Sequence, residues 1–278
     1  SIAWPVWPSP SPPGPDLTRL IVLSVFSSRG PCDDRRIKPD VVAPGTDILS
    51  ARSSLAPDHH YWGTFADGPY GYMGGTSMAA PVVTGVAALV REYYVRHRNV
   101  AEPSAALLKA TIINGTRVLK GGDAGGPIPN PHQGFGCVHL PTTLPLEPHT
   151  KLAFVDVPAA QGLAAVLSRR RYRFTTTAVA DLRICLVFTD PAGRSLQNDL
   201  NLIVEPPGVP PRKILGNEAL VGRLTKEDSE NNVEVVRVSG ARTGTWTVAV
   251  LCRNLMHGPQ GFALVLLGAL ASDTIQPT

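Results

Sequence analysis

The run Gly74-Gly75-Thr76-Ser77-Met78-Ala79-Ala80-Pro81 constrains this chain more than any other stretch. It sets a small serine in a glycine-rich turn that leads straight into an apolar helix, predicted over Val82 to Arg96. Two consequences follow from that placement. The serine hydroxyl projects into open space, because glycines flank the approach. Its own N–H sits at a helix start, where unpaired donors and the positive end of the helix dipole favour a developing oxyanion. The competing reading is a helix N-cap, a common use of Ser or Thr before an apolar run.

A second block, Phe26-Ser27-Ser28-Arg29-Gly30-Pro31 followed by Ile37-Lys38-Pro39-Asp40-Val41-Val42-Ala43-Pro44-Gly45, precedes the serine run. Gly-Thr-Ser-Met-Ala-x-Pro resembles the nucleophile motif of the subtilisin-like serine peptidases (subtilases). The second block resembles the segment that precedes the serine in the same family, and the order and spacing of the two fit. Gln133-Gly134-Phe135-Gly136-Cys137-Val138 resembles the family's closing Gly-Trp-Gly segment, with Phe135 in place of Trp. The resemblance implies an α/β subtilisin-like three-layer domain with a parallel sheet, present here in part. It also implies Ser77 as nucleophile, an oxyanion hole using the Ser77 N–H and the Thr76 hydroxyl, and close substrate approach at Gly74 and Gly75. Protein or peptide would be the substrate, with no cofactor required for the chemistry.

A chain of 278 residues suffices for one large domain or two ordinary ones. The pass along it predicts strands at Ile21–Phe26 and Val41–Ala43, a strand or loop at Thr46–Ser53, and a surface loop from Ala56 to Tyr70. A second helix is predicted from Ser104 to Ile113, stopped by Asn114-Gly115. Pro141 to Pro148 reads as an exit linker. Residues 21–147 are thus assigned to the catalytic-type part. Residues 1–20, rich in Pro and Ser, match nothing and lack the basic start and apolar core of a signal peptide.

After about residue 150 the texture changes to short β-rich runs between turn residues: Lys151–Val157, Tyr172–Thr177, Asp181–Phe188, Leu200–Val204, Asn232–Val238, Gly244–Leu251 and Gly261–Leu267. That spacing predicts an all-β sandwich or jelly roll over 148–278. Leu186-Val187-Phe188-Thr189-Asp190, Asn198-Asp199-Leu200-Asn201-Leu202, Asn231-Asn232-Val233-Glu234, Gly244-Thr245-Trp246 and Gly258-Pro259-Gln260 resemble the C-terminal β-barrel module of one branch of bacterial alkaline subtilases. Those barrels bind calcium, which makes Asp190, Asn198, Asp199, Asn201 and Glu234 candidate oxygen ligands for a structural ion. Ordinary Asx turns at loop starts are the alternative use of the same residues.

Other features bound the partners. The net charge of +4 is small and scattered, and Arg169-Arg170-Arg171 reads as a solvated strand edge, not a nucleic-acid patch. No apolar run reaches membrane-spanning length; the longest, Phe262–Ala271, reads as a buried strand. Cys32, Cys137, Cys185 and Cys252 form no CxxC or zinc pattern, and a Cys185–Cys252 disulfide stays open. Asn114-Gly115-Thr116 fits an N-glycosylation sequon.

A serine needs a base to take its proton and a group to orient that base. The family's Asp-Ser/Thr-Gly and His-Gly-Thr-His motifs, and its oxyanion asparagine, have no match here. His59 and His60, beside Asp58, are the two histidines near Ser77 in sequence, and they read as surface residues. The expectation is a subtilisin-type serine endopeptidase represented by a partial chain, inactive alone, with an extracellular or secretory location implied by the resemblance. The alternative is a non-catalytic remnant whose β half is a binding module. A tripeptide-releasing peptidase on the same fold is a third reading.

Overall fold

The computed structural model describes residues 22–55, 69–208, 213–218 and 227–278. The Pro-rich start and most of the loop expected at 56–70, with His59 and His60, lie outside the described residues.

From residue 22 the chain runs through extended and turn segments to a small antiparallel pair, β1 (Ile48–Ala51) and β2 (Tyr70–Met73). Helix α1 (Thr76–His97) follows, then α2 (Ala105–Asn114) and the single turn α3 (Leu140–Thr143). The remainder is β-structure: β3 (Lys151–Val157), β4 (Arg169–Thr176), β5 (Ala180–Val187), β6 (Asn198–Glu205), β7 (Ile214–Leu215), β8 (Val233–Ala241), β9 (Gly244–Leu255), β10 (Phe262–Gly268) and β11 (Gln276–Pro277). They form a four-stranded sheet, β3-β10-β5-β8, and a five-stranded sheet, β11-β4-β9-β6-β7. Every strand pairing in both sheets is antiparallel.

Alternation along the strands explains the layering. Phe262, Leu264 and Leu266 of β10 join Ile184 and Leu186 of β5 in a cluster with Phe174, Leu202, Trp246 and Val248 of the other sheet. Trp246 is fully buried, stacks on Phe174 at 6.2 Å, and donates its indole N–H to Thr176 Oγ1 at 3.0 Å. The intervening residues of β10, Ala263, Val265 and Leu267, face the opposite way. With Cys185, Val187 and Val235 they join a second cluster containing Leu107, Ala110 and Ile113 of α2 and Val86, Val90 and Tyr94 of α1. A strand buried on both faces reads as a continuous apolar run, which accounts for Phe262–Gly268, buried at all seven positions.

Sequence and structure differ in three places. Residues 22–28 form no strand, and Val41–Ala43 contributes one parallel bridge, Val42 to Cys137. Among the described residues that bridge is the single parallel pairing, so the expected parallel sheet is not formed by them. Helix α1 starts six residues earlier than expected. It buries only Val86, Val90 and Tyr94, while Ala80, Pro81, Gly85, Ala88 and Leu89 are exposed because no described element packs on that face. All four cysteines are free; Cys185 and Cys252 belong to different apolar clusters, so the open disulfide is not made.

Leu107 is fully buried where α2 meets the four-stranded sheet. Truncation there, Leu107→Ala, is expected to cost about 2–5 kcal/mol. Thermal unfolding followed by circular dichroism should show the β signal melting earlier. Two transitions with the β signal unmoved would contradict a shared core.

Candidate active site

The serine turn is built from backbone. Gly75 caps α1 with φ 147° and ψ 166°, a conformation essentially restricted to glycine. The cap uses no side-chain hydrogen bond, so Ser77 is not spent as an N-cap. It lies in the first turn and is exposed. Met78 N–H and Ala79 N–H both reach Gly75 O, at 3.0 and 3.4 Å. The N–H groups of Thr76 and Ser77 belong to the four at a helix start that the helix cannot satisfy, and the dipole adds positive potential there. Pro81 lies inside the helix and has no N–H to offer the Ser77 carbonyl.

The segment expected to precede the serine does meet it. Gly75 donates its N–H to Gly45 O at 2.7 Å. A Cβ at Gly45 would come within 2.8 Å of Gly75 O and 3.2 Å of the Ala79 methyl, so only glycine admits this approach. An open cleft of about 710 Å³ runs between Val22–Ser28, Val41–Thr46 and the start of α1, with Thr76, Ala79 and Val83 on one wall. Upstream, Asp40 pairs with Lys109 of α2 at 2.8 Å and with Lys38 at 2.5 Å. Burial works against its charge, but the two ammonium groups outweigh it and hold the carboxyl below its ordinary range. Phe135 is buried, and its N–H reaches Asp40 O at 2.9 Å, so the closing segment pins the same stretch.

Among the described residues no histidine or carboxylate is hydrogen-bonded to Ser77. His97 sits at the far end of α1, about 30 Å away along a helix rising 1.5 Å per residue. His139 faces Thr142 Oγ1 at 2.9 Å. His132 makes its backbone contact with Asn130, and the His257 carbonyl accepts from Asn198. None of these bears on the serine turn.

The candidate oxygen ligands divide into two groups. Asp190 accepts from the N–H groups of Gln197 and Asn198, at 2.9 and 2.8 Å, in an Asx-type loop. Asn198 is buried and spends its amide on His257 O, Gln260 Oε1, Met256 N and His257 N. The other three lie together at the β6–β8 side. Asn201 donates to Asp199 Oδ1 at 2.5 Å, and Glu234 Oε2 accepts from Leu202 N–H at 2.6 Å, leaving Asn201 Oδ1 and Glu234 Oε1 buried with no partner. Burial lifts the Asp199 carboxyl to about 6, with Asp228 and Glu227 adding to it against the Asn201 amide and Arg253. Burial also pushes Glu234 well above the carboxylate range, again with Asp228, Asp199 and Glu227 contributing. Sequence reasoning missed Asp228; the acidic run Glu227-Asp228-Ser229-Glu230 was the available signal. Among the described residues no three His, Cys, Asp or Glu side chains converge as a metal centre. The sequon is unusable in the folded chain: Asn114 is 1 % exposed and donates to Arg183 O and Val265 O, both at 3.3 Å.

A serine in the first turn of a glycine-capped helix, open on its hydroxyl side and backed by unpaired N–H groups, is an arrangement suited to acyl transfer. Residues 21–136 match the Subtilase family (Peptidase_S8), and this part of the chain is a subtilase-family domain. The serine protease/ABC transporter B family protein tagA of Dictyostelium discoideum is 32 % identical over 274 residues, covering 88 % of this chain and 15 % of the relative. TagB of the same organism, of the same printed description, is 27 % identical over 310 residues, covering 88 % and 16 %. The minor extracellular protease Vpr of Bacillus subtilis is 38 % identical over 118 residues, covering 41 % and 13 %. The chain thus spans less than a fifth of the length of these curated relatives.

Asp40→Asn should destabilise the chain by about 1 kcal/mol at pH 7, through loss of charge-assisted hydrogen bonds. The sign is set by a lowered carboxyl: its contribution is present above the unfolded-state value of an aspartate and is lost as pH falls through the folded-state value. Melting temperatures of the two proteins should therefore separate near neutrality and converge in strong acid. A constant gap at every pH would show that the charge is not the cause.

Proposed function

We propose that the protein is a serine endopeptidase of the subtilisin type, cleaving peptide bonds through an acyl-enzyme on Ser77. The observation that carries this reading is the hydroxyl of Ser77, exposed and unspent in a first turn capped by Gly75. Ser77 Oγ attacks the scissile carbonyl and passes its proton to a base. The oxyanion is taken by the Ser77 N–H and the Thr76 hydroxyl, with Gly74 and Gly75 admitting the substrate. The amine leaves with the proton, and water then releases the acyl group. The base and its orienting acid come from polypeptide outside this sequence, so the 278-residue chain hydrolyses peptides poorly or not at all. The Dictyostelium relatives carry the description serine protease/ABC transporter B family protein, which supports a protease reading of this chain. The extracellular Vpr supports an extracellular or secretory location. No described helix is long and apolar enough to cross a membrane.

Residues 148–278 are read as a jelly-roll or β-sandwich accessory domain. Its outer sheet face is occupied by α2, which weighs against a free binding module on that face. A structural calcium ion suits the group of Asp199, Asn201 and Glu234, whose two unpartnered buried oxygens have the ligand chemistry the ion prefers. Asp190 and Asn198 are already engaged in their own loop.

Fluorophosphonate labelling of native extract and medium tests the first reading. A labelled band above the 29.6 kDa of this chain, with the Ser77 peptide modified and the label lost in Ser77→Ala, is the expected result. An abundant but unlabelled protein would make it the non-catalytic remnant. For calcium, a saturating titration should raise the melting temperature, by about 2.7 kcal/mol of stability at a hundredfold excess over Kd. Glu234→Gln and Asn201→Ala should each remove that rise. A melting temperature indifferent to calcium would dispose of the ion.

A further inference from the structure

Besides the shared apolar layer, one buried polar side chain of the β half reaches the segment that leads to the serine turn. Asn231, 5 % exposed, lies just before β8 and accepts from Ile37 N–H at 2.7 Å, a contact spanning 194 residues of sequence. Its orientation is not free. Asn231 Nδ2 donates to both carboxylate oxygens of Asp228, at 3.2 and 2.8 Å. Asp228 also accepts from the N–H groups of Glu230 and Asn231, and from Asn217 Nδ2 at 2.7 Å. Asn217 in turn is tied to β8, through Val233 O and Val235 N–H. The amide of Asn231 is thus locked at one end by the β half and closed at the other by the Ile37 backbone.

From Ile37 the chain runs directly to the serine turn. Phe135 N–H binds Asp40 O at 2.9 Å, Val42 N–H binds Gly136 O at 3.0 Å, and Val138 N–H binds Val42 O at 2.9 Å. Three residues on, Gly45 O receives the Gly75 N–H at 2.7 Å, two residues before Ser77. Ile37 itself is buried in the cluster shared by helices and sheet. The neighbouring ion pair of Arg35 with Glu230 is long, at 3.5 Å, and exposed, so it adds little.

We propose that Asn231 is a positioning residue for the serine turn: through Ile37 it fixes the 37–45 segment, and through the Gly45–Gly75 hydrogen bond it sets where the first turn of α1 begins. The inference concerns regulation of the site read above as catalytic, and its structural part stands without that reading. The β half then acts on the start of this segment directly through one buried amide, and the serine turn loosens when that amide is removed even though both apolar clusters remain.

Hydrogen exchange of the 278-residue chain tests this directly. In Asn231→Ala, peptides covering 37–45 and 73–80 should exchange about tenfold faster, with β9 and β10 peptides unchanged. Asn231→Asp alone sets a second carboxylate against Asp228; the exchanged pair Asn231→Asp with Asp228→Asn keeps an oxygen facing Ile37 N–H and one amide donor between the two, and should recover part of that protection. Glu230→Gln, which breaks only the exposed pair, should leave the 73–80 peptide as in the wild type. Faster exchange confined to 228–233 and 37–40, or an equal rise in every peptide, would overturn the proposal. In the full-length protein the fluorophosphonate rate at Ser77 should fall in Asn231→Ala when measured well below the melting temperature of the variant, with Glu230→Gln labelled at the wild-type rate. An unchanged rate at a labelled Ser77 overturns it too. A wild-type Ser77 that never labels, with the 73–80 response intact, sinks the peptidase reading and leaves the positioning role of Asn231 standing.

Discussion

The burial of α2 on the outer face of the four-stranded sheet is the contact on which the rest of the molecule depends. Leu107, Ala110 and Ile113 meet Val235, Ala263, Val265 and Leu267, all buried, in one cluster with α1. Each large side chain there contributes roughly 1.5–3 kcal/mol by leaving water, and the sheet side also carries the inter-sheet core on its other face. Tyr94 of α1 joins the layer through its hydroxyl to Thr111 Oγ1 at 2.7 Å. Burial is its main perturbation and pushes its ionisation to higher pH, so the phenol stays neutral. The helix bearing Ser77 is therefore held to the β half through α2.

Polar groups fix the register of this contact. At the start of α2, Ser104 caps Leu107 N–H at 3.0 Å while its own hydroxyl and N–H go to Asp156 of β3. At the end, Arg237 and Arg183 stand opposite one another on adjacent strands, an arrangement of like charges that costs energy by itself. The carbonyl end of α2 offsets it: Arg237 donates to Ile113 O, Thr116 O and Phe135 O, each at 3.3 Å, and Arg183 donates to Thr116 O at 3.3 Å. Burial, with Arg183 behind it, brings the Arg237 guanidinium down to about 10, still cationic at neutral pH. Arg98, just past α1, supplies a third tie to Leu152 O at 2.7 Å and lies over the Phe154 ring.

The serine turn is made almost wholly of main chain. Gly75 supplies the backbone conformation, Gly45 the close approach, and Pro81 a gap in the helical ladder. Such a turn leaves a hydroxyl exposed beside unpaired N–H groups without activating it, because activation needs a base within hydrogen-bond reach. The β half bears on this turn by placement. It carries the partners of Ile37 and of both ends of α2, so the geometry around Ser77 is set from more than a hundred residues downstream.

The elements legible in the sequence are those dictated by local chemistry. Ser104 before an apolar run and Asn114-Gly115 after it bounded α2 to within a residue, and alternating apolar runs located seven strands of the two sheets. The string around Ser77 marked its turn because glycine, serine and proline each do something there that other residues cannot. The short strands β7 and β11 carry no periodicity, and their pairing depends on neighbours brought in from elsewhere. What tertiary structure alone decided is partnership. Nothing local separates Glu234, buried against Leu202 N–H, from Glu230 on the surface four residues away, or tells that Asn231 reaches Ile37. The continuous apolar run of β10 shows that it has two buried faces, but the identity of what covers each face comes from residues distant in sequence. A hydrogen bond or apolar contact has energy only when both partners are present, and here the second partner is supplied by the fold.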